Sequence, residues 1–423
     1  MLLKNAHIIN PADNLNELSD IRVENGMVAE VSKNLFPLVD EEVIDLSGKV
    51  ITPGLVDMHC HLREPGFESK ETIKTGIQSA LAGGYTAICP MANTSPVVDN
   101  LMTLKYTFDR AKEADEIGFY PICALSIGLK GQNLVNMSEL KDNGAVAFSD
   151  DGKPLENLKL YRVALEYADS LGALIISHSE DSSLASGGVI NEGAASTRLG
   201  LQGISDLAES VAVARELEVL RYSGGKLHFA HISTKRSIEL IRQAKKDGLN
   251  VTCETAPHYF SLCDEDIKTF EAKFKMNPPL RSREDKEAVI EGLQDGTIDV
   301  IATDHAPHTL EEKLMPIQKA PMGIVGFETS LALCITNLVD GGYLTLSQVI
   351  EKLSLNPSRI LNIKQGNIKI GEPANLTVVD PDVEWIVDAS KFKSKCKISP
   401  FDGKKLRGRV LAVVVNGKYK EIQ

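Results

Sequence analysis

The feature that most constrains this chain is serial: from Val50 to about residue 300, short apolar, β-rich runs alternate with segments of helical periodicity. Candidate strands begin at Val50, Tyr85, Ile117, Ala145, Ala173, Lys226, Asn250 and Ile298, eight in all. The segment from Glu71 carries Ile73, Ile77, Ala80 and Leu81 at helical spacing, and Gly83-Gly84 closes it. Ser205 to Tyr222, Thr234 to Asp247 and Ser282 to Asp295 repeat the scheme, each opening on a residue whose hydroxyl can cap a helix. Eight βα units in series predict a closed (β/α)8 barrel, a fold that usually takes ~250 residues. An open doubly wound sheet is disfavoured, because no G-x-G-x-x-G follows the first strand.

A chain of 423 residues exceeds what the barrel needs, and its two ends look alike. Residues 1–49 read as short strands with Asn25-Gly26 as a hairpin turn, and strands return after Asn356-Pro357 in NLTVVD, EWIV and RVLAVVVNGK, where Asn416-Gly417 is a second turn. The expectation is that the ends pair into a small β-sandwich, dividing the chain into 1–49, 50–365 and 366–423. A basic cluster from Lys391 to Arg409 reads as a solvated edge of that sandwich, its like charges discouraging edge pairing.

Lys and Arg number 46 against 58 Asp and Glu, a formal net charge of −12, so no global basic field is available for nucleic acid. The longest apolar run, Val410 to Val415, falls far short of the ~20 residues of a membrane helix. The opening MLLKNAHIIN has no signal-peptide core, and a soluble, cytoplasmic protein is expected. Seven Cys without a C-x-x-C pair argue against a disulfide framework or zinc ribbon and predict buried thiols.

In a (β/α)8 barrel the chemistry sits at the carboxyl ends of the strands. Here those ends read DMHCHLR, MANT, FSDDG, ISHSED, HFAHIS, CETAPH and IATDHAPH. Six of the nine His mark these ends, His59, His61, His178, His231, His258 and His305, with His228 just inside and His308 just beyond. Alternation along a strand places His59 and His61 on one face and Cys60 on the other. An H-x-H of this kind is a metal clamp, and with His178, His231 and Asp304 at other strand ends the donor set suits zinc and its neighbours. His228, three residues from His231, falls on the opposite face and reads as a satisfied core or helix-facing histidine. By the same parity His305 faces away, as a residue that supports a ligand from behind or a structural one. His258, behind Pro257, reads as packing, and His7 as unrelated. Alternation does not separate Asp150 from Asp151.

The runs DMHCHLREPG, MANTSPVVD, SDDGKP, SHSED, HISTKRS, ETAPHYF, MNPPLRSREDKEA, ATDHAPH and GFETSL, in this order, resemble the long (type I) dihydroorotases of the amidohydrolase superfamily over essentially the whole chain. The resemblance implies two Zn²⁺, with His59, His61 and Asp304 on the first, His178 and His231 on the second, and Asp151 bridging. Hydantoinases and allantoinases resemble the chain too, but use a carbamylated lysine near the end of strand 4. Here AVAFSDD contains no lysine, and Lys153 lies beyond Gly152. The implied substrates are N-carbamoyl-L-aspartate and L-dihydroorotate, in the third step of UMP biosynthesis. Arg63, on the face of His61 if the strand persists, offers a planar fork for a carboxylate, a bond of ~1.5–3 kcal/mol. The competing role for Arg63 is an ion pair with Glu64 or Glu68. The resemblance adds His61, Asn93, Asn277 and His308 as substrate contacts, with the main chain at Met322-Gly323 on the ring edge. Helix or turn capping competes for the two asparagines.

Two zinc ions, offset by Asp151, Asp304 and a bridging hydroxide, leave the mouth at about +1 before Arg63 is counted, which suits an anionic substrate. The chemistry implied is attack of metal-activated hydroxide on a ring carbonyl, with Asp304 taking the proton and passing it to the leaving nitrogen. A homodimer is expected, and a complex with aspartate carbamoyltransferase is a candidate. A non-catalytic partner of that enzyme would be expected to lack metal ligands, whereas all six are present. No G-x-S-x-G elbow supports a serine hydrolase. The stretch from His308 to Met322 is a candidate lid.

Overall fold

The computed structural model describes residues 1–114 and 117–422. Strands Leu55–Cys60, Tyr85–Pro90, Ala147–Phe148, Ile175–Ser177, Leu227–Phe229, Val251–Thr255 and Val300–Ile301 occupy seven of the eight barrel positions. The third position is split into Gly118–Phe119 and Ile122–Cys123, which pair with the second and fourth strands respectively. All these pairings are parallel. The ring closes where Cys60 bridges His305 and His61 N–H donates to His305 O at 2.8 Å. Asp57 braces the same seam, accepting from Thr303 N at 2.8 Å and Thr303 Oγ1 at 2.7 Å.

The run beginning at Val50 divides at Gly54, which corrects the expected first strand. Val50–Pro53 pairs with His7–Ile8 and with Leu376–Val379 of the terminal sheet, and the barrel begins at Leu55. A Cβ at Gly54 would lie 1.9 Å from Thr86 Oγ1, so the crossing between sheets needs glycine there. Apolar content alone cannot mark this division, since both halves are fully buried.

The chain ends pair with each other as expected, in one eight-stranded sheet. NLTVVD and EWIV join in a single strand, Leu376–Ile386, with a register shift between Asp380 and Glu384 around Pro381. Both Asn-Gly turns form as hairpins, with positive φ at Asn25, Gly26, Asn416 and Gly417. The two turns meet, and Ala374 N–H donates to Gly26 O at 2.9 Å, so the sheet curls around its own apolar core of Leu3, Ile8, Ile21, Ile51, Val378 and Val414. The basic stretch departs from its expected place. Between Ala389 and Lys404 it leaves the sheet and crosses the barrel wall, where the main chain at Lys393 and Lys395 donates to Glu328 and Glu71.

Helix caps follow the local sequence. Thr72, Thr234 and Ser282 accept from the third residue of Ile73–Ala82, Lys235–Lys246 and Arg283–Gln294. Leu207–Ser223 instead begins after Asp206, without a side-chain cap from that residue. All seven Cys are free and buried. No helix among the described residues is long and apolar enough to cross a membrane.

Candidate active site

His59 and His61 lie at the end of Leu55–Cys60, Asp151 beyond Ala147–Phe148, His178 beyond Ile175–Ser177, His231 beyond Leu227–Phe229 and Asp304 beyond Val300–Ile301. All six are buried, and they converge. Two interlocked triads form, His59–His61–Asp151 and Asp151–His178–His231, each with its donor atoms within 4.8 Å of one another. Asp151 is the shared corner. Its Oδ1 lies 3.5 Å from His59 Nε2, 3.5 Å from His178 Nδ1 and 3.6 Å from His231 Nε2, while Oδ2 lies 3.5 Å from His61 Nε2. Asp304 Oδ1 joins the first triad at 3.1 Å from His61 Nε2 and 3.6 Å from His59 Nε2.

Asp150, which alternation left open, points elsewhere. It accepts from Leu125 N at 2.8 Å, Ser126 N at 2.9 Å and the Ser126 hydroxyl. Arg63, His231 and Asp304 all carry positive φ, +66°, +34° and +46°. Such conformations cost on the order of 1–3 kcal/mol each and persist where the surroundings impose them. At His231 the turn cancels simple alternation. His228 therefore lies just beneath the cluster, buried and bonded at both nitrogens: Nδ1 is 2.8 Å from Thr252 Oγ1 and Nε2 is 3.3 Å from Glu254 Oε2.

The outward nitrogens of the paired histidines are held. His59 Nδ1 donates to Glu254 Oε1 at 2.6 Å, and His61 Nδ1 to Asn93 Oδ1 at 2.9 Å, so each Nε2 faces the centre. Burial alone would push the His59 imidazole down, yet Glu254, Asp151 and Asp304 carry it up to about 10. The same burial opposes charge on Asp151 and Asp304, but the imidazoles hold both well below the carboxylate range. The pocket thus demands positive charge at its centre. His59 Nε2 and Asp151 Oδ1 are buried without any hydrogen-bond partner. An imidazole nitrogen and a carboxylate oxygen orphaned 3.5 Å apart fit a divalent cation between them, and the N/O donor set suits zinc.

The mouth has its own cation. Arg63 Nε donates to Pro307 O at 3.1 Å and Nη2 lies 3.3 Å from His308 Nε2, with no carboxylate paired to it among the described residues. Glu64 and Glu68 are engaged elsewhere, by Arg110 and by Gly66 N. Asn93 also reaches Asp151 Oδ2 at 3.5 Å and caps no helix. Asn277 Nδ2 donates to Glu180 Oε2 at 2.9 Å, which leaves its Oδ1 buried and unpartnered. His308 Nε2 donates to Met322 O at 2.7 Å, and Gly323 N–H to Lys275 O at 3.1 Å, so these main-chain groups are already bonded. A Cβ at Gly323 would lie 2.7 Å from Ala306 O, at φ +125°.

The other histidines stand apart. His305 stacks on Phe327 at 4.2 Å and accepts from Gly326 N at Nδ1. His258 packs against Tyr259 at 4.2 Å, and burial pushes it down to about 4. His7 contacts Asn16 in the terminal sheet. Sequence reasoning missed Glu254, Glu180 and Asp57 as supports of the site. A glutamate inside the buried run VTCET was the available signal for the first.

Residues 50–420 match the profile of the amidohydrolase family. The chain is 51% identical over 417 residues to a dihydroorotase of Acetivibrio thermocellus, covering 99% of this chain and 98% of that one. It is 49% identical over 419 residues to a dihydroorotase of Syntrophus aciditrophicus, with the same coverage. Among solved structures, L-hydantoinase (dihydropyrimidinase) from Arthrobacter aurescens matches with a TM-score of 0.89 at 28% identity, covering 99% of this chain and 95% of that one. D-hydantoinase (dihydropyrimidinase) from Thermus sp. matches at 0.85 and 25%, covering 100% and 96%.

Proposed function

Since this chain belongs to the amidohydrolase family and is a cyclic amidohydrolase of the dihydroorotase group, we propose that it interconverts N-carbamoyl-L-aspartate and L-dihydroorotate in pyrimidine biosynthesis. Two zinc ions would be held by His59, His61 and Asp304 and by His178 and His231, with Asp151 between them. The observation that carries this reading is the shared corner: Asp151 belongs to both triads, where a hydantoinase-type site would need a modified lysine. Lys153 is exposed in the following turn.

When bound, the metals would lower the pKa of water from 15.7 toward about 7 and polarise the attacked carbonyl. The remaining work falls to side chains. Arg63, free of any acidic partner, binds the substrate carboxylate through its Nη donors, assisted by Asn93, and by His308 where its Nε2–H turns from Met322 O to the substrate. Asn277 has its amide nitrogen committed to Glu180, so it offers Oδ1 as an acceptor to a ring N–H. Asp304 starts ionised, accepts the proton of the attacking oxygen as that oxygen bonds to the ring carbonyl carbon, and passes it to the nitrogen as the C–N bond breaks. In ring closure Asp304 takes the proton of the attacking nitrogen as the C–N bond forms and gives it to the carboxylate oxygen, which leaves as hydroxide as its C–O bond breaks and takes a second proton from solvent to become water. Glu254 and Asn93 keep the His59 and His61 rings from turning during these transfers.

The test is turnover of dihydroorotate, hydantoin and allantoin by the metal-loaded protein, with metal content measured on the same sample. Dihydroorotate alone should be opened, with two metals per chain. Faster turnover of hydantoin would sink the reading. A homodimer, a cytoplasmic location and association with aspartate carbamoyltransferase remain proposals from the family. Sedimentation of the chain alone and mixed with that enzyme tests the two assemblies.

A further inference from the structure

The strap that follows the last barrel strand, residues 308–323, is fastened by two lysines that the chemistry above does not use. Lys275 and Lys313 are each 4% exposed, and neither ammonium meets a carboxylate within ion-pair distance among the described residues. Lys313 Nζ instead donates to three main-chain carbonyls: Gly323 O at 2.7 Å, Lys275 O at 3.2 Å and Pro321 O at 3.2 Å. Lys275 Nζ donates to Ile317 O at 2.7 Å and Gln318 O at 3.3 Å. An ammonium has three N–H donors, and Lys313 uses all of them. A buried charge without a counter-ion is costly, so these bonds offset a real penalty.

The three carbonyls belong to two segments that border the site. Lys275 stands two residues before Asn277, and Gly323 follows Met322, whose carbonyl receives the His308 bond. We propose that Lys313 is a positioning residue for substrate recognition: its ammonium ties the segment carrying Asn277 to residues 321–323 and so fixes the wall that meets the non-reacting edge of the ring. The proposal depends on the substrate reading above only for the identity of that ring, because the fastening is a property of the chain itself. The segments that Lys313 ties contain neither a candidate metal ligand nor Asp304, so loss of the tie should appear in KM more than in kcat.

The charged and titratable groups facing Lys313 are Lys275 and Arg63, which oppose its charge, Glu312 and Cys396, which favour it, and His308, itself pushed down to about 3 and so neutral near pH 8; burial outweighs them and holds the ammonium down to about 8. A neutral amine keeps only two N–H donors, so one of the three ties is lost above that pH.

Peptide-resolved hydrogen exchange over residues 315–325 and kinetics with dihydroorotate, on metal-loaded wild type and Lys313→Met, test this. In the variant the strap should exchange about tenfold faster or more with the barrel strands unchanged. KM should rise about tenfold or more while kcat stays within about threefold. In the wild type, strap protection should fall as the pH passes about 8, beyond the intrinsic rise in exchange, and the variant should lack this step. Unchanged protection in the variant overturns the fastening, and a loosened strap with unchanged KM overturns the role in recognition. A wild type inert toward dihydroorotate would remove the substrate reading, while the exchange arm still decides the fastening. Should Lys313→Met fail to fold, Lys313→Gln and the wild-type pH series decide in the same way.

Discussion

Glu254 offers a direct test of how the metal ligands are held, because it touches the proposed centre only through His59. Its Oε1 accepts from His59 Nδ1 at 2.6 Å, and its Oε2 lies 3.3 Å from His228 Nε2, in a setting 1% exposed. A hydrogen bond to a charged group contributes ~1.5–3 kcal/mol, and 1.4 kcal/mol is about tenfold in an equilibrium constant. Glu254→Ala frees the His59 ring and should weaken zinc binding about 10–100-fold, the range typical of such outer partners. Glu254→Gln keeps an oxygen for His59 and loses only the charge, so it should fall near the tenfold end. Titration of metal-free protein against a chromophoric chelator measures both, with circular dichroism to show that the fold is intact. Zinc affinities within twofold of wild type in both variants would refute this account of ring orientation.

A pH dependence follows from the same residue. Burial opposes charge on Glu254, but His59 and His228 outweigh it and hold the carboxyl at about 2 against an ordinary 4.5. A depressed folded-state pKa contributes stability that is complete above the unfolded value and disappears as the pH falls through the folded one. The stability difference between wild type and Glu254→Gln in the metal-free protein should therefore shrink between pH 4.5 and about 2, read from denaturant midpoints.

Other outcomes can be stated briefly. Asp304→Asn should abolish turnover in both directions, and retention of a tenth of the activity would remove Asp304 from proton transfer. Activity after zinc reconstitution should not respond to bicarbonate, since Asp151 occupies the shared corner; a strong requirement would argue for a carbamylated lysine instead. Gly417→Ala places a Cβ 2.4 Å from Gly26 Cα at φ +79°, so the sheet should lose on the order of 1–3 kcal/mol in denaturant unfolding. An unchanged midpoint would show that the two hairpins part at no cost.

Much of this architecture was legible in advance where the signal is local. Seven of the eight barrel positions begin within two residues of their expected starts, because apolar runs, capping hydroxyls and closing glycines act over a few neighbours. Both Asn-Gly hairpins formed for the same reason. Reading failed where one apolar run serves two sheets, as at Gly54. It also failed where a charged stretch finds distant partners, as Lys393 and Lys395 do with Glu328 and Glu71.

By itself the order of residues determined which chemical groups stand at strand ends, since alternation of strand and helix delivers each end to the same rim of a barrel. It also placed His59 and His61 together, two positions apart on one strand. Only the tertiary structure showed where Asp150 points instead, that His231 enters the site through a positive-φ turn rather than by strand alternation, and that Glu254 and Lys313 brace the site from outside it. Those outcomes depend on positive φ, on partners as far as 195 residues away and on which buried polar groups find bonds, and none of these is a property of neighbouring residues.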